Sequence, residues 1–348
     1  MKSFDGHNDL LARLWLSEHP DPVGMFLKGQ LPGHLDFARC QQAQFAGGLF
    51  AIFVPPFDYV KNNHPYKLRN SAQAGFDAHD IHHIVFTQLD YIEQIASRSD
   101  RRIQICLSVE DIQFCLQQDI MAVVIHLEGA EVLDSEFGVL EQLHARGLRS
   151  IGPLWNLPNQ FGHGLQASFP HSPDTGLGLT DQGKALIQLC SEKRIMIDVS
   201  HMNEKAFWDT AKISELPLIA THSNVHQLCP QPRNLTDAQL EAIQASQGCV
   251  GVNFDTAFLR PDGQRNAATS LDLILEHIEY LMHKLGEDQV AFGSDFDGGF
   301  ISDHLKDVTG LIHLQQAFER RGYSQALQEK LCHQNWLSAL QRVWHPAC

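Results

Sequence analysis

Basic charge is scarce in this sequence. Lys and Arg number 26 against 41 Asp and Glu, a formal net charge of −15 with His neutral, and no long basic run occurs. Nucleic acid and anionic membrane surfaces are therefore poor partners. Long apolar runs are missing too, and no segment offers the roughly 20 apolar residues that span a bilayer. The opening MKSFDGHNDLLARLW has one early Lys but no apolar core of about 7 to 15 residues ahead of a small-residue cleavage site. The expectation is a chain without a secretory leader, placed in the cytoplasm. Eight cysteines form no CxxC pair and no zinc-finger spacing, so buried, reduced thiols are expected in preference to disulfides. There is no GxSxG around Ser200, no P-loop and no Rossmann glycine pattern, which leaves serine-hydrolase, kinase and dehydrogenase readings without residues.

What is present is an apolar fraction of 43%, ample for a folded core, and 20 His. Short apolar runs alternate with segments of helical periodicity, the pattern of repeated βα units around a parallel sheet. Strands are predicted at Ser3 to Asp9, Gly48 to Val54, Ala122 to Glu128, Leu148 to Trp155, Ile195 to His201, Leu216 to His222, Cys249 to Phe254 and Gln289 to Asp295. A further short run, Ile103 to Leu107, has no evident place among them. Helix starts are signalled at Ser108, Thr180, Ser270 and Thr236, the last with Gln239 as a capping box, and two more helices are expected after Ser302. Eight strands and no linker predict one domain over residues 1–348: an α/β, TIM-type (β/α)8 barrel with added loops and C-terminal helices. The stretches PPFDYVKNNHPYKLRNSAQ and LPNQFGHGLQASFPHSPDTG exceed ordinary βα turns and are expected to shape a pocket.

Five apolar runs end in a potential metal ligand: SFDGHND in His7 and Asp9, MAVVIHLE in Glu128, IMIDVSH in His201, LPLIATH in His222, and VAFGSD in Asp295. Parallel strands aim their C-terminal ends at one mouth, where these side chains would meet. Alternation supports this: His7 and Asp9 share a face, Glu128 shares one with Val124 and His126, and His201 follows Ile197 and Val199. Singly, each residue reads as readily as a hydrogen-bonded core His or a capping carboxylate. Jointly they point to a metal centre whose imidazoles and carboxylates suit zinc, with manganese, cobalt or iron as alternatives.

DGHND, HLEGAE, DVSH, ATHSN, PRN and GSDFDG occur in that order across almost the whole chain. The set resembles the renal (membrane) dipeptidase family of the amidohydrolase superfamily, in particular its soluble bacterial members. The resemblance implies two zinc ions, His7 and Asp9 on one, His201 and His222 on the other, with Glu128 bridging. Asp295 would sit beside the first ion, itself a metal contact, and move protons, so that Asp295 and Glu128 form the catalytic pair acting on a metal-bridging hydroxide. Arg233 in PRN would clamp a substrate carboxylate; without the resemblance it reads as a solvated Arg near a helix end. His126 faces inward one layer below Glu128, as a buried hydrogen-bonded residue. Asp5 is expected to support a ligand, while Asp297 reads equally as a support or a cap.

One position departs from the family pattern. Where members commonly carry a substrate-binding His, this chain has Trp155, which donates one hydrogen bond and cannot become a cation. His163 in the FGHG loop is a candidate substitute. The implied function is hydrolysis of dipeptides or similar small carboxylate-bearing amides by a homodimer. Two alternatives stay open: hydrolysis of a lactone, lactam or peptide intermediate at the same centre, and a metal-binding protein without activity.

Overall fold

The structure, a computed structural model, describes residues 1–63 and 75–345. Part of the first long loop and Cys348 lie outside the described residues. Among the described residues nine parallel strands form in chain order: β1 (Ser3–Asn8), β2 (Phe45–Phe53), β3 (Ile103–Ile105), β4 (Met121–Glu128), β5 (Leu148–Gly152), β6 (Met196–Ile197), β7 (Ile219–Ala220), β8 (Cys249–Val252) and β9 (Val290–Phe292). Each predicted strand is therefore represented, most of them shorter than expected at the C-terminal end. The run Ile103 to Leu107 finds its place as β3, which pairs with Met121–Val123 of β4, while β5 takes the same edge further along at Ile125–Glu128. β4 is buried along its whole length, which explains why MAVVIHLE is almost continuously apolar instead of alternating.

The closed (β/α)8 barrel is not what the backbone forms. The ladder runs β1-β2-β4-β5-β6 with β3 attached to β4, and a separate three-stranded sheet runs β7-β8-β9. Across the two seams the only bridges among the described residues are Asp198↔Ile219 and Asn8↔Phe296. The result is an α/β fold with a curled, open half-barrel sheet.

Buried carboxylates occupy the seams where ladder bonds would run. Asp198 Oδ1 accepts from the backbone N–H groups of Ser200 (3.0 Å) and Thr221 (2.9 Å). Asp5 accepts from Ser294 N–H (2.7 Å) and Ser294 Oγ (2.7 Å). These side chains satisfy backbone donors that a continuous sheet would pair with carbonyls.

The helical expectations hold at Ser108, Thr180 and Thr236, whose side chains accept from Asp111, Gly183 and Gln239 backbone N–H groups; the first and third are reciprocal capping boxes. Ser270 Oγ accepts from Asp272 N–H at the start of the helix Asp272–Leu285. After Ser302 come helices Leu311–Arg320 and Gln325–Glu329, a π-helical turn Lys330–Gln334, and the helix Asn335–Trp344. That last helix seats Trp336 against the strands: its indole N–H donates to Phe292 O (2.7 Å), and a Cβ at residue 6 would lie 2.3 Å from its ring, so only Gly6 fits there. Among the described residues no helix is long and apolar enough to cross a membrane.

His277, buried on the helix Asp272–Leu285, ties two loops near the strand ends. Its Nε2–H donates to Leu259 O (3.0 Å) and its Nδ1 accepts from Val225 N–H (3.1 Å), so the ring must stay neutral. Burial lowers its pKa from 6.5 to about 4. The unfolded chain then takes up a proton that the folded chain refuses. The His277 contribution is complete above about pH 6.5 and is lost as pH falls toward 4, up to roughly 3 kcal/mol. Urea titrations from pH 7 to pH 4 are expected to show a shallower loss of stability in His277→Gln than in the native chain; parallel curves would refute the assignment.

Candidate metal centre

His7 is the fifth residue of β1 and Asp9 lies just past its end; Glu128 ends β4. His201, His222 and Asp295 follow β6, β7 and β9 by two to four residues. All six meet at one mouth. His7 Nε2 is 3.3 Å from Asp9 Oδ2 and 3.7 Å from Glu128 Oε2. On the other side, Glu128 Oε1 is 2.9 Å from His201 Nε2 and 3.4 Å from His222 Nε2. The two oxygens of Glu128 thus face different ligand groups. His7, Asp9 and Asp295 make one cluster of close donor atoms, and His7, Glu128 and His222 another. A third acidic group, Asp77, His79 and Asp80, is the capping region of the exposed start of helix Ala78–Arg98.

The tautomers can be read from the neighbours. Thr221 Oγ1 has a single proton, which it gives to Asp198 Oδ2 (2.5 Å), so at 2.7 Å it accepts from His222 Nδ1–H. The Nε2 of His222 therefore carries a bare lone pair. His201 Nδ1 is 2.9 Å from Asn156 Oδ1, an acceptor, which places its proton there and leaves its Nε2 bare as well. Burial holds both imidazoles far below the usual His range, keeping them neutral. Two lone pairs 3.1 Å apart, both facing a carboxylate, repel unless a cation lies among them.

His7 points the same way. Both its ring nitrogens are buried without a hydrogen-bond partner among the described residues. Burial alone would lower its pKa, yet the charges of Glu128 and Asp9 raise it to about 10. These carboxylates demand positive charge at this spot. Burial pushes the Glu128 carboxyl well above its ordinary range. The donor set, imidazole and carboxylate only, fits a divalent ion such as zinc.

Asp295 sits in the left-handed region at φ 58°. Its Oδ2 accepts from Asn253 Nδ2 (2.8 Å), and burial followed by the charge of Asp9 raises its pKa to about 6. Gly298 leaves space for it. A Cβ there would lie 2.1 Å from Asp9 Oδ2 and 2.6 Å from Asp295 Oδ1.

This centre can be set beside known proteins. Residues 1–347 match the membrane dipeptidase family, peptidase family M19. The chain belongs to the membrane dipeptidase family. A metallopeptidase from Rhodobacter sphaeroides, solved with a phosphinate mimic of the dipeptide L-Ala-D-Ala, is 41% identical, with a TM-score of 0.92 and 99% of each chain covered. The dipeptidase AC, also of family M19, superposes with a TM-score of 0.92 at 41% identity, covering 100% of this chain and 99% of its own. A protein of Acinetobacter calcoaceticus, described only by its place in a PQQ-III 3′ region, is 58% identical over 282 residues, 81% of this chain and 89% of its own. As a membrane-dipeptidase-family member this chain is a metal-dependent hydrolase of the dipeptidase type.

The other expected residues of this dipeptidase-family chain divide. Arg233 is buried beside the centre: Nη1 donates to Ser200 O and to Ser223 Oγ (2.8 Å), and Nη2 donates to His222 O (2.9 Å). Its Nε–H is buried with no partner among the described residues. Trp155 lies beyond β5 in the loop, its ring 6.0 Å from that of His201 and 5.1 Å from Phe53. His163 is half-buried next to Gly176, and no contact joins it to the cluster among the described residues. His126 is buried, its Nδ1 2.7 Å from Ser150 Oγ. Asp297 Oδ1 accepts from His34 N–H (2.6 Å) and Asp297 N–H donates to His34 Nδ1 (2.8 Å), pinning the loop before helix Phe37–Gln42 to the site.

Four residues that hold the centre together escape the sequence reading: Asn156, Asp198, Thr221 and Asn253. Asp198 starts DVSH and Thr221 directly precedes His222 in ATHSN, so their placement in those motifs was a usable signal. Asn156 and Asn253 carry none beyond being polar residues after an apolar run.

Proposed function

We propose that this chain is a two-zinc dipeptidase in which His7 and Asp9 hold one ion, His201 and His222 the other, and Glu128 spans both. The split of the two Glu128 oxygens between His7 and the His201–His222 pair is the observation that carries this reading. When bound, the ions supply Lewis-acid polarisation of the scissile carbonyl and a more acidic water. The protein supplies the rest. Asp295, its Oδ2 held by Asn253, keeps Oδ1 at the mouth beside Asp9 to take a proton from the attacking water and return it to the leaving amine.

Arg233 grips the substrate carboxylate. Its Nη1 hydrogens and one Nη2 hydrogen are spent on Ser200, Ser223 and His222. Nε–H and the second Nη2 hydrogen remain, and these form one edge of the guanidinium, the fork that meets a carboxylate in two parallel bonds. Trp155 and Phe53 supply an apolar wall near His201. The likeness to the Rhodobacter protein extends the proposed substrates to dipeptides ending in a D-residue. The cysteine spacings, with no CxxC pair, suggest no disulfide framework and support placement in a reducing compartment such as the cytoplasm. A homodimer and the absence of nucleic-acid partners complete the reading, the first from the family and the second from the net charge of −15.

The test is metal analysis together with hydrolysis of L,L and L,D dipeptides and of their C-terminal amides. Two metals per chain are expected. A charge-assisted hydrogen bond at Arg233 corresponds to a kcat/KM roughly 10- to 100-fold higher for free acids than for amides. Arg233→Lys is expected to lose most of that discrimination. Equal rates on acids and amides in the native enzyme would overturn the carboxylate clamp, and turnover of lactones in place of any dipeptide would move the substrate class.

A further inference from the structure

We propose that Asn156 is a positioning residue for metal retention: it sets the tautomer and orientation of His201 from the substrate loop, so that this loop and the metal site are mechanically one unit. The inference rests on the metal-centre reading above and adds to it a residue that contacts neither metal nor substrate in that scheme.

The two imidazoles that share an ion are held in different ways. His222 is fixed from the sheet: its Nδ1–H is taken by Thr221, whose hydroxyl is in turn committed to Asp198, and all three residues are buried. His201 has no such partner on a strand. Its Nδ1 meets Asn156 Oδ1 at 2.9 Å, and Asn156 lies four residues past the end of β5, in the loop that also carries Trp155. His201 Nε2 is the nitrogen turned toward Glu128 Oε1 (2.9 Å) and His222 Nε2 (3.1 Å). An imidazole offers a lone pair on only one nitrogen at a time. The acceptor at Nδ1 therefore decides whether the nitrogen facing the cluster can bind a cation at all.

Trp155 makes the arrangement directional. Its ring packs against Phe53 at 5.1 Å and lies 6.0 Å from His201, tilted by 36°. The indole limits where the His201 ring can swing, and the neighbouring amide holds its edge. A Trp at 155 thus places a packing surface beside a metal ligand, and the residue after it supplies the polar contact. Metal affinity at this half of the site should follow the position of the loop.

The experiment is competition for zinc against a graded chelator, followed by the metal stoichiometry of the native chain, Asn156→Ala and Asn156→Asp, with far-UV circular dichroism on each. Losing a hydrogen-bond partner of a metal-binding His weakens metal binding by roughly 10- to 100-fold. Asn156→Ala is expected to lose one of the ions by that factor with its helical signal unchanged. Asn156→Asp, which keeps an acceptor of the same shape, is expected to bind at least as tightly as the native chain. Native affinity in Asn156→Ala would overturn the inference, as would an Asn156→Asp that loses metal to the same extent. A native chain that binds no zinc would instead overturn the metal-centre reading itself, so the two failures are distinguishable.

Discussion

Asp295→Asn will lower kcat by roughly 100- to 10,000-fold, the usual contribution of a positioned acid–base group, while leaving metal content close to native. The substitution is chosen for its backbone. Asp295 occupies φ 58°, a conformation that Asn tolerates better than almost any other non-glycine residue. The amide oxygen can still accept from Asn253 Nδ2, the bond that now orients the carboxylate at 2.8 Å. Shape and support survive, and only the capacity to take and return a proton is removed. Steady-state kinetics on a dipeptide, paired with elemental analysis, decide the matter. An unchanged kcat would remove Asp295 from the mechanism, whereas loss of one metal in parallel with activity would make it a ligand first.

The second large effect is expected at a residue with no side chain. Gly298→Ala introduces a methyl 2.1 Å from Asp9 Oδ2 and 2.6 Å from Asp295 Oδ1, distances at which something must move. Both carboxylates face the centre and both are buried, so their displacement falls on the His7–Asp9 half of it. Misplacement of such groups by about 1 Å costs on the order of 100-fold in rate. The variant is expected to lose the metal at that half and at least this much activity, with the His201–His222 half still loaded. Two tightly held metals and native turnover in Gly298→Ala would show that the loop absorbs the methyl.

How much of this was legible beforehand can be followed residue by residue. The convergence of six side chains was readable because five apolar runs each end in a His or carboxylate, and strand alternation places those side chains on one face; the structure brings all six together. The parallel sheet and the helix starts were readable from caps and periodicity, as at Ser108 and Thr236. That the sheet stays open, against the expected closed barrel, was not. IMIDVSH reads as a strand of seven residues, yet the strand covers only Met196 and Ile197 with a single bridge beyond it at Asp198↔Ile219, and the Asp198 carboxylate turns back to bind the N–H groups of Ser200 and Thr221. A sequence pattern records which residues are apolar; it does not record which backbone donors a side chain will take. The same limit hid Asn156, whose role depends on where a long loop returns, and obscured the structural share of Arg233, three of whose hydrogens go to neighbouring chain segments.

Asp198 belongs at once to the seam between the two sheets and, through Thr221, to the orientation of His222. The join between β6 and β7 and the aim of His222 thus hang on one carboxylate, so any change at Asp198 is felt by the backbone of the seam and by the imidazole together.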